Sequence, residues 1–169
     1  DSAASMYGIQ AIPTLILIAP DGTIERTETT CAGLFGAPLP DIGEYPSYIA
    51  CILFGKSSPM ITQSGEDGDL ECEHYIANIS NGVAGFRYFA FSGGDYAVTV
   101  KIRGKGMISL STGERSDPIA TADFSSDIWQ NIVLPCKIPH GTLPLYFTFC
   151  GENIDFLSFG IMPKKGSFA

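Results

Sequence analysis

Two polar side chains stand two residues apart near the end of the chain, in Gly151-Glu152-Asn153-Ile154-Asp155-Phe156. An amide and a carboxylate at the mouth of a final strand have the chemistry to hold a sugar hydroxyl or a metal ion. Other carboxylates crowd into Glu66, Asp67, Asp69, Glu71 and Glu73, a run that reads as a solvated acidic loop. Glycoside hydrolysis by inversion needs two carboxyl groups roughly 6.5–9.5 Å apart on a rigid frame, and no pair in this chain reads as one. Neither does any Ser/His/Asp or Cys/His order point to an activated nucleophile. Cys31, Cys51, Cys72, Cys136 and Cys150 are odd in number and include no CxxC pair, and with only His74 and His140 beside them no zinc spacing arises. The five read as unbridged thiols, with Cys51 and Cys150 as small buried hydrophobes inside apolar strands.

The elements that must position these residues are strands. Tyr96–Ile102, Met107–Ser111, Ile128–Val133 and Leu145–Phe149 alternate or run apolar for a strand's length, and Gly, Pro, Asp or Ser bounds each. Apolar residues make up 45% of the 169, and 19 Gly and 11 Pro punctuate short segments, so a packed all-β fold follows. About eight strands at regular spacing predict an antiparallel β-sandwich of jelly-roll type, with two packed sheets. Two parts are expected. Residues 1–58 carry a β-hairpin extension, Ile12–Ile18 and Thr23–Glu28 about the turn Pro20-Asp21-Gly22, then a Gly/Pro-rich linker. Residues 59–163 form the sandwich.

Charge and hydropathy exclude two partner classes. A net charge of -8, with no basic cluster beyond Lys164-Lys165, gives no footprint for a phosphate backbone, so nucleic acid is not expected. The longest apolar runs, Leu15–Ala19 and Ile49–Phe54, are too short to span a bilayer as helices. The chain opens on Asp1, which reads as a processed or truncated product and leaves both secreted and cytoplasmic placement open. Tyr7-Gly-Ile-Gln-Ala-Ile-Pro-Thr-Leu15 has the look of a thioredoxin cis-proline segment, but no CxxC precedes it and the motif lacks its context.

A broader resemblance runs along almost the whole chain. Asp21-Gly-Thr-Ile-Glu-Arg-Thr-Glu-Thr-Thr-Cys-Ala-Gly-Leu-Phe-Gly-Ala-Pro-Leu39 resembles the closing segment of family 43 glycoside hydrolases, the β-xylosidases and α-arabinofuranosidases. Gly43–Gly55, Tyr75-Ile-Ala-Asn-Ile79 and Gly82–Phe91 continue it in order. From about Pro59 the chain resembles their appended module, similar to a family 6 carbohydrate-binding module, through Trp129, His140-Gly141, Leu145–Phe149 and Gly-x-Asn-Ile-Asp-Phe.

The resemblance implies a non-catalytic module for plant cell-wall polysaccharide such as xylan or arabinoxylan. It also implies a sugar cleft, in which Asn153 fits the polar role and Tyr88 or Phe86 the aromatic one. Tyr88 reads equally as a core ring beside Phe86, Phe89 and Phe91, and Asn153 as a turn amide. Trp129 matches a second, core-facing tryptophan of the family, and the cleft tryptophan position falls at Ser125 or Ser126. A structural calcium ion is implied as well, with Asp155, Gln63 in place of a glutamate, and Glu71 or Glu73 as its ligands. Two further readings stay open: a domain that only stabilises a family 43 catalytic domain, and an unrelated jelly-roll interaction protein. The hairpin, apolar from Leu15 to Ile18, is expected to seek a catalytic polypeptide or a second copy of the chain, because an isolated hairpin is marginal in water.

Overall fold

The computed structural model describes residues 15–18, 24–28, 38–65 and 73–164. The chain divides into two compact units, 1–38 and 39–169. In the first, strands β1 (Leu15–Ile18) and β2 (Ile24–Glu28) pair antiparallel, with a register shift between Leu17 and Ile18. The hairpin expected there is present, and its turn at Asp21-Gly22 lies outside the described residues.

The second unit is built on three long strands, β9 (Gly94–Ser111), β10 (Ala120–Ile138) and β11 (Gly141–Pro163). Central β9 pairs antiparallel with β10 on one side and β11 on the other. The shorter strands are β3 (Leu39–Pro40), β4 (Gly43–Pro46), β5 (Ile52–Gly55), β6 (Met60–Gln63), β7 (His74–Ala77) and β8 (Gly82–Phe91). The first half of β11 pairs with β8, which carries β5 and β3. The second half pairs with β4 and β7, and β7 carries β6.

Segments that read as separate strands are therefore halves of continuous ones, and the sandwich is one sheet folded over itself. Phe147 and Phe156 show the fold directly. Nine residues of straight strand would separate them by roughly 30 Å, yet their ring centroids are 5.3 Å apart. Gly151 and Gly106 make the bend possible. They are register partners, and a Cβ on Gly151 would collide with the Lys105 carbonyl. Phe86 on the β8 side meets Phe159 on the other at 4.7 Å, and Tyr45 meets Phe89 edge-on at 5.1 Å. Aromatic rings fill the space between the layers, and offset or edge-to-face pairs of this kind add to area burial.

The sandwich starts earlier than Pro59. Leu39–Pro40, Gly43–Pro46 and Ile52–Gly55 are hydrogen-bonded members of its sheet, and Ser47 is wholly buried, bonding across from the 3-10 turn Ser47–Ile49 to Phe156 O at 2.6 Å. Part of the Gly33–Pro46 stretch that reads as a linker is thus sheet, because its backbone groups find partners on β8 and β11.

Candidate carbohydrate-binding site

The bend that folds the sheet also gathers the polar residues singled out from sequence. Three irregularities meet there: the register shifts between Glu152 and Asp155 on β11 and between Ser126 and Gln130 on β10, and Gly104 on β9, with φ +112°. Asn153 sits at the crest, solvent-exposed, with φ +52°, a left-handed conformation that Asn accepts more readily than most residues. Its neighbour Glu152 is in register with Lys105. Lys105, Met107, Asp123, Ser125 and Cys150 line an open groove of about 600 Å³. Ser125 thus faces a groove where the resemblance expects a tryptophan, and Ser126 turns to its own bulge, accepting from Ile128 N at 3.2 Å.

Asp155 does not point to a ligand. Arg103 grips its Oδ2 with Nε at 2.9 Å and Nη2 at 2.7 Å, and Oδ1 accepts from Asn78 N at 2.9 Å. The guanidinium lies 4.5 Å from the Trp129 ring centroid and 5.3 Å from that of Tyr75, and the two rings meet edge-on at 5.4 Å. Trp129 is half-buried and belongs to this stack, outside the hydrophobic core cluster where the sequence placed it. Burial works against the Arg103 charge and the bonds to Asp155 oppose that, with a net upward push on its pKa.

The described members of the implied calcium set are engaged elsewhere. The oxygens of Asp155 are engaged, and the positive charge beside them belongs to Arg103. Glu73 faces Lys101 Nζ at 3.6 Å. Gln63 turns its amide toward the Gly65 carbonyl, donating at 3.1 Å. Glu71 lies outside the described residues. Among the described residues no group of three His, Cys, Asp or Glu side chains converges as a metal would need.

The aromatic half of the predicted cleft falls elsewhere. Phe86 is a core residue, 1% exposed and packed on Phe147, Phe156 and Phe159. A sugar cannot stack on it. Tyr88 is half-buried. It sits on β8 where that strand runs beside Leu143–Leu145. From Leu145 to Cys150 there are five residues of strand, roughly 17 Å, before the bend that carries Asn153. The structure therefore separates Tyr88 from Asn153 and does not close them into one cleft.

Beside Tyr88 are groups the sequence reading passed over. Arg87 Nη2 donates to Tyr146 Oη at 2.6 Å, and its guanidinium carbon lies 5.9 Å from the ring centroids of both Tyr88 and Tyr146. Tyr146 is 3% exposed but stands outside the core cluster. Gly85 makes room for it, since a Cβ there would come within 2.8 Å of Tyr146 Cε1. The alternation of β11, with Leu145, Phe147 and Phe149 inward, was the signal that Tyr146 faces the other way.

Comparison with known proteins bears on both units. A xylosidase/arabinosidase from Thermoclostridium stercorarium is 38% identical over 157 residues, a match covering 82% of this chain and 33% of that protein. A glycoside hydrolase family 43 arabinoxylan arabinofuranohydrolase from Bacillus subtilis, solved with cellotetraose, superposes with TM-score 0.63 at 14% identity, over 88% of this chain and 33% of that one. A β-1,3-glucan-binding family 6 module from Bacillus halodurans superposes with TM-score 0.62 at 14% identity, over 74% of this chain and 98% of that one. The fold is that of the family 6 carbohydrate-binding modules. The resemblance read from the sequence, to part of a family 43 glycoside hydrolase with such a module, is borne out by these matches. No protein-family model matches the chain, and it spans about a third of the length of the xylosidase/arabinosidase.

Proposed function

We propose that the chain is a non-catalytic accessory carbohydrate-binding module of a xylan- or arabinoxylan-degrading glycoside hydrolase, with weak affinity for the sugar. The observation that carries this reading is the coincidence of two independent likenesses: the sequence is related to a xylosidase/arabinosidase, and the fold is that of carbohydrate-binding modules. The groove supplies polar groups for hydroxyls from Lys105, Asp123 and Ser125 and the Met107 side chain as an apolar surface, and exposed Asn153 stands on the same bend. The groove's one aromatic lining residue, Phe124, is 5% exposed and offers no open ring face, which limits affinity to a dissociation constant of about a millimolar, or about -4 kcal/mol.

NMR titration with xylohexaose tests this. Shifts should cluster at Met107, Ser125 and Asn153 and weaken in Asn153→Gly, a change that keeps the left-handed backbone. Saturable binding untouched by that substitution would place the site elsewhere, and no binding at millimolar sugar would reject the reading.

A second reading, a domain that stabilises its catalytic neighbour without binding sugar, is favoured by Trp129. Its indole face is occupied by Arg103 rather than offered to a ligand. In either case the β1–β2 hairpin is proposed to pair with a catalytic polypeptide or a second copy. Light scattering on the intact chain, alone and with the catalytic polypeptide, distinguishes the two.

A further inference from the structure

Arg87 is charged, partly buried and without a counter-ion among the described residues. The two ion pairs among the described residues belong to Lys101 and Arg103, in a chain with 18 acidic residues against 10 basic ones. Among the described residues only Tyr146 Oη accepts from the Arg87 guanidinium, and Nε is a buried donor with no partner. The surroundings hold the group in place. Tyr146 lies close against Gly85 and tethers Nη2, and Tyr88 flanks the guanidinium on a half-buried ring. A planar fork fixed beside an aromatic ring, with one hydrogen bond among the described residues, matches a carboxylate attached to a sugar ring. The fork takes the carboxylate through charge-assisted hydrogen bonds, and the tyrosine takes the C–H face of the ring.

We infer that Arg87, Tyr88 and Tyr146 form a second station that reads the carboxylate of a uronic acid, so that the module prefers acidic, uronic-acid-substituted xylo-oligosaccharides over neutral ones. This inference rests on the carbohydrate-binding reading and names the ligand class within it. The station is separate from the groove at Asn153, by the strand distance given above.

The test is a pair of calorimetric or NMR titrations on the full chain, one with a xylo-oligosaccharide bearing a single glucuronic acid and one with its neutral counterpart. The acidic ligand should bind about tenfold more tightly at 50 mM NaCl, since hydrogen bonds to charged groups are the stronger kind. The preference should shrink at 500 mM, and shifts should appear at Arg87, Tyr88 and Tyr146. Arg87→Met should abolish the preference and Arg87→Lys should retain part of it, with the thermal midpoint of each variant recorded to exclude unfolding. The salt dependence of the unmodified chain tests the same point without a variant. Equal binding of both ligands overturns the station and leaves the sugar reading standing. A preference that survives Arg87→Met in a folded variant also overturns it. Binding of neither ligand overturns both, and directs Arg87 to a carboxylate on another protein.

Discussion

Replacing Arg103 with Met keeps most of the side-chain volume and removes the charge that the bend is organised around. The change removes two hydrogen bonds to Asp155, at 2.9 and 2.7 Å, and the stack on Trp129. The remaining carboxylate keeps Asn78 N as its partner. Breaking a fully buried pair costs about 3–5 kcal/mol, and an exposed one is worth about 0–1 kcal/mol. Here the side chains are 34% and 19% exposed, so solvent screening places the loss between those limits, at about 2 kcal/mol. For a folded unit of this size that lowers the thermal midpoint by roughly 6–10 °C. Urea denaturation of Arg103→Met, Asp155→Asn and the double variant gives the coupling between them as a double-mutant cycle. The expected coupling is about 1 kcal/mol or more. Because Arg103 supplies the positive charge at Asp155, millimolar calcium or a chelator should leave the midpoint of the unmodified chain in place. A loss below about 0.5 kcal/mol in Arg103→Met would refute the clasp, and a chelator-induced drop of several degrees would refute the assignment of its charge to Arg103.

Three further outcomes are expected. Gly151→Ala should destabilise by about 2–4 kcal/mol in urea, because the added Cβ meets the Lys105 backbone at the crossing of β9 and β11 and nothing flexible can give way. Burial pushes the Cys136 thiol up to about 11, so iodoacetamide at pH 8 followed by mass spectrometry should label exposed Cys150 and spare Cys136 in the native state. The Asp41 carboxyl is held below its ordinary value by the Ser92 backbone N–H and then by the Tyr96 hydroxyl. Its contribution is therefore present above the unfolded value near 3.8 and is lost as pH falls through the lower folded value. The acid limb of a pH–stability curve should accordingly be shallower in Asp41→Asn.

The fold was legible because its core follows strand periodicity. Phe147, Phe149, Ile154, Phe156 and Phe159 are all buried, and the runs containing them read as strands without any knowledge of partners. The same rule applied residue by residue would have corrected one expectation and filled one omission. Cys150 follows buried Phe149 and therefore faces solvent, and Tyr146 lies between Leu145 and Phe147 on the opposite face. Continuity was not legible. Gly104, Gly106 and Gly151 read as turn signals that end strands, and here they permit strands to bend and continue, because what decides between the two is the backbone that crosses at that point.

The site was legible as a set of residue types but not as an arrangement, and Asp155 shows why. From sequence, an aspartate at the start of a final strand is an open ligand, since nothing local competes for it. Its actual partner is 52 positions away on β9, brought alongside by a register that only the bulge between Glu152 and Asp155 fixes. A shift of one residue would turn the carboxylate to the other face and leave Arg103 unpaired. Trp129, Tyr75 and Arg103 come from three different strands, so the stack that brings positive charge to Asp155 exists only after the sheet has folded over. The same argument separates Tyr88 from Asn153. Family likeness puts both residues in one cleft, but the length of β11 between them decides where each works. Any sugar held at the bend by Asn153 must be held there without the ring of Tyr88, and this is the physical ground for expecting weak affinity at the bend and a separate role for the Arg87–Tyr88–Tyr146 face.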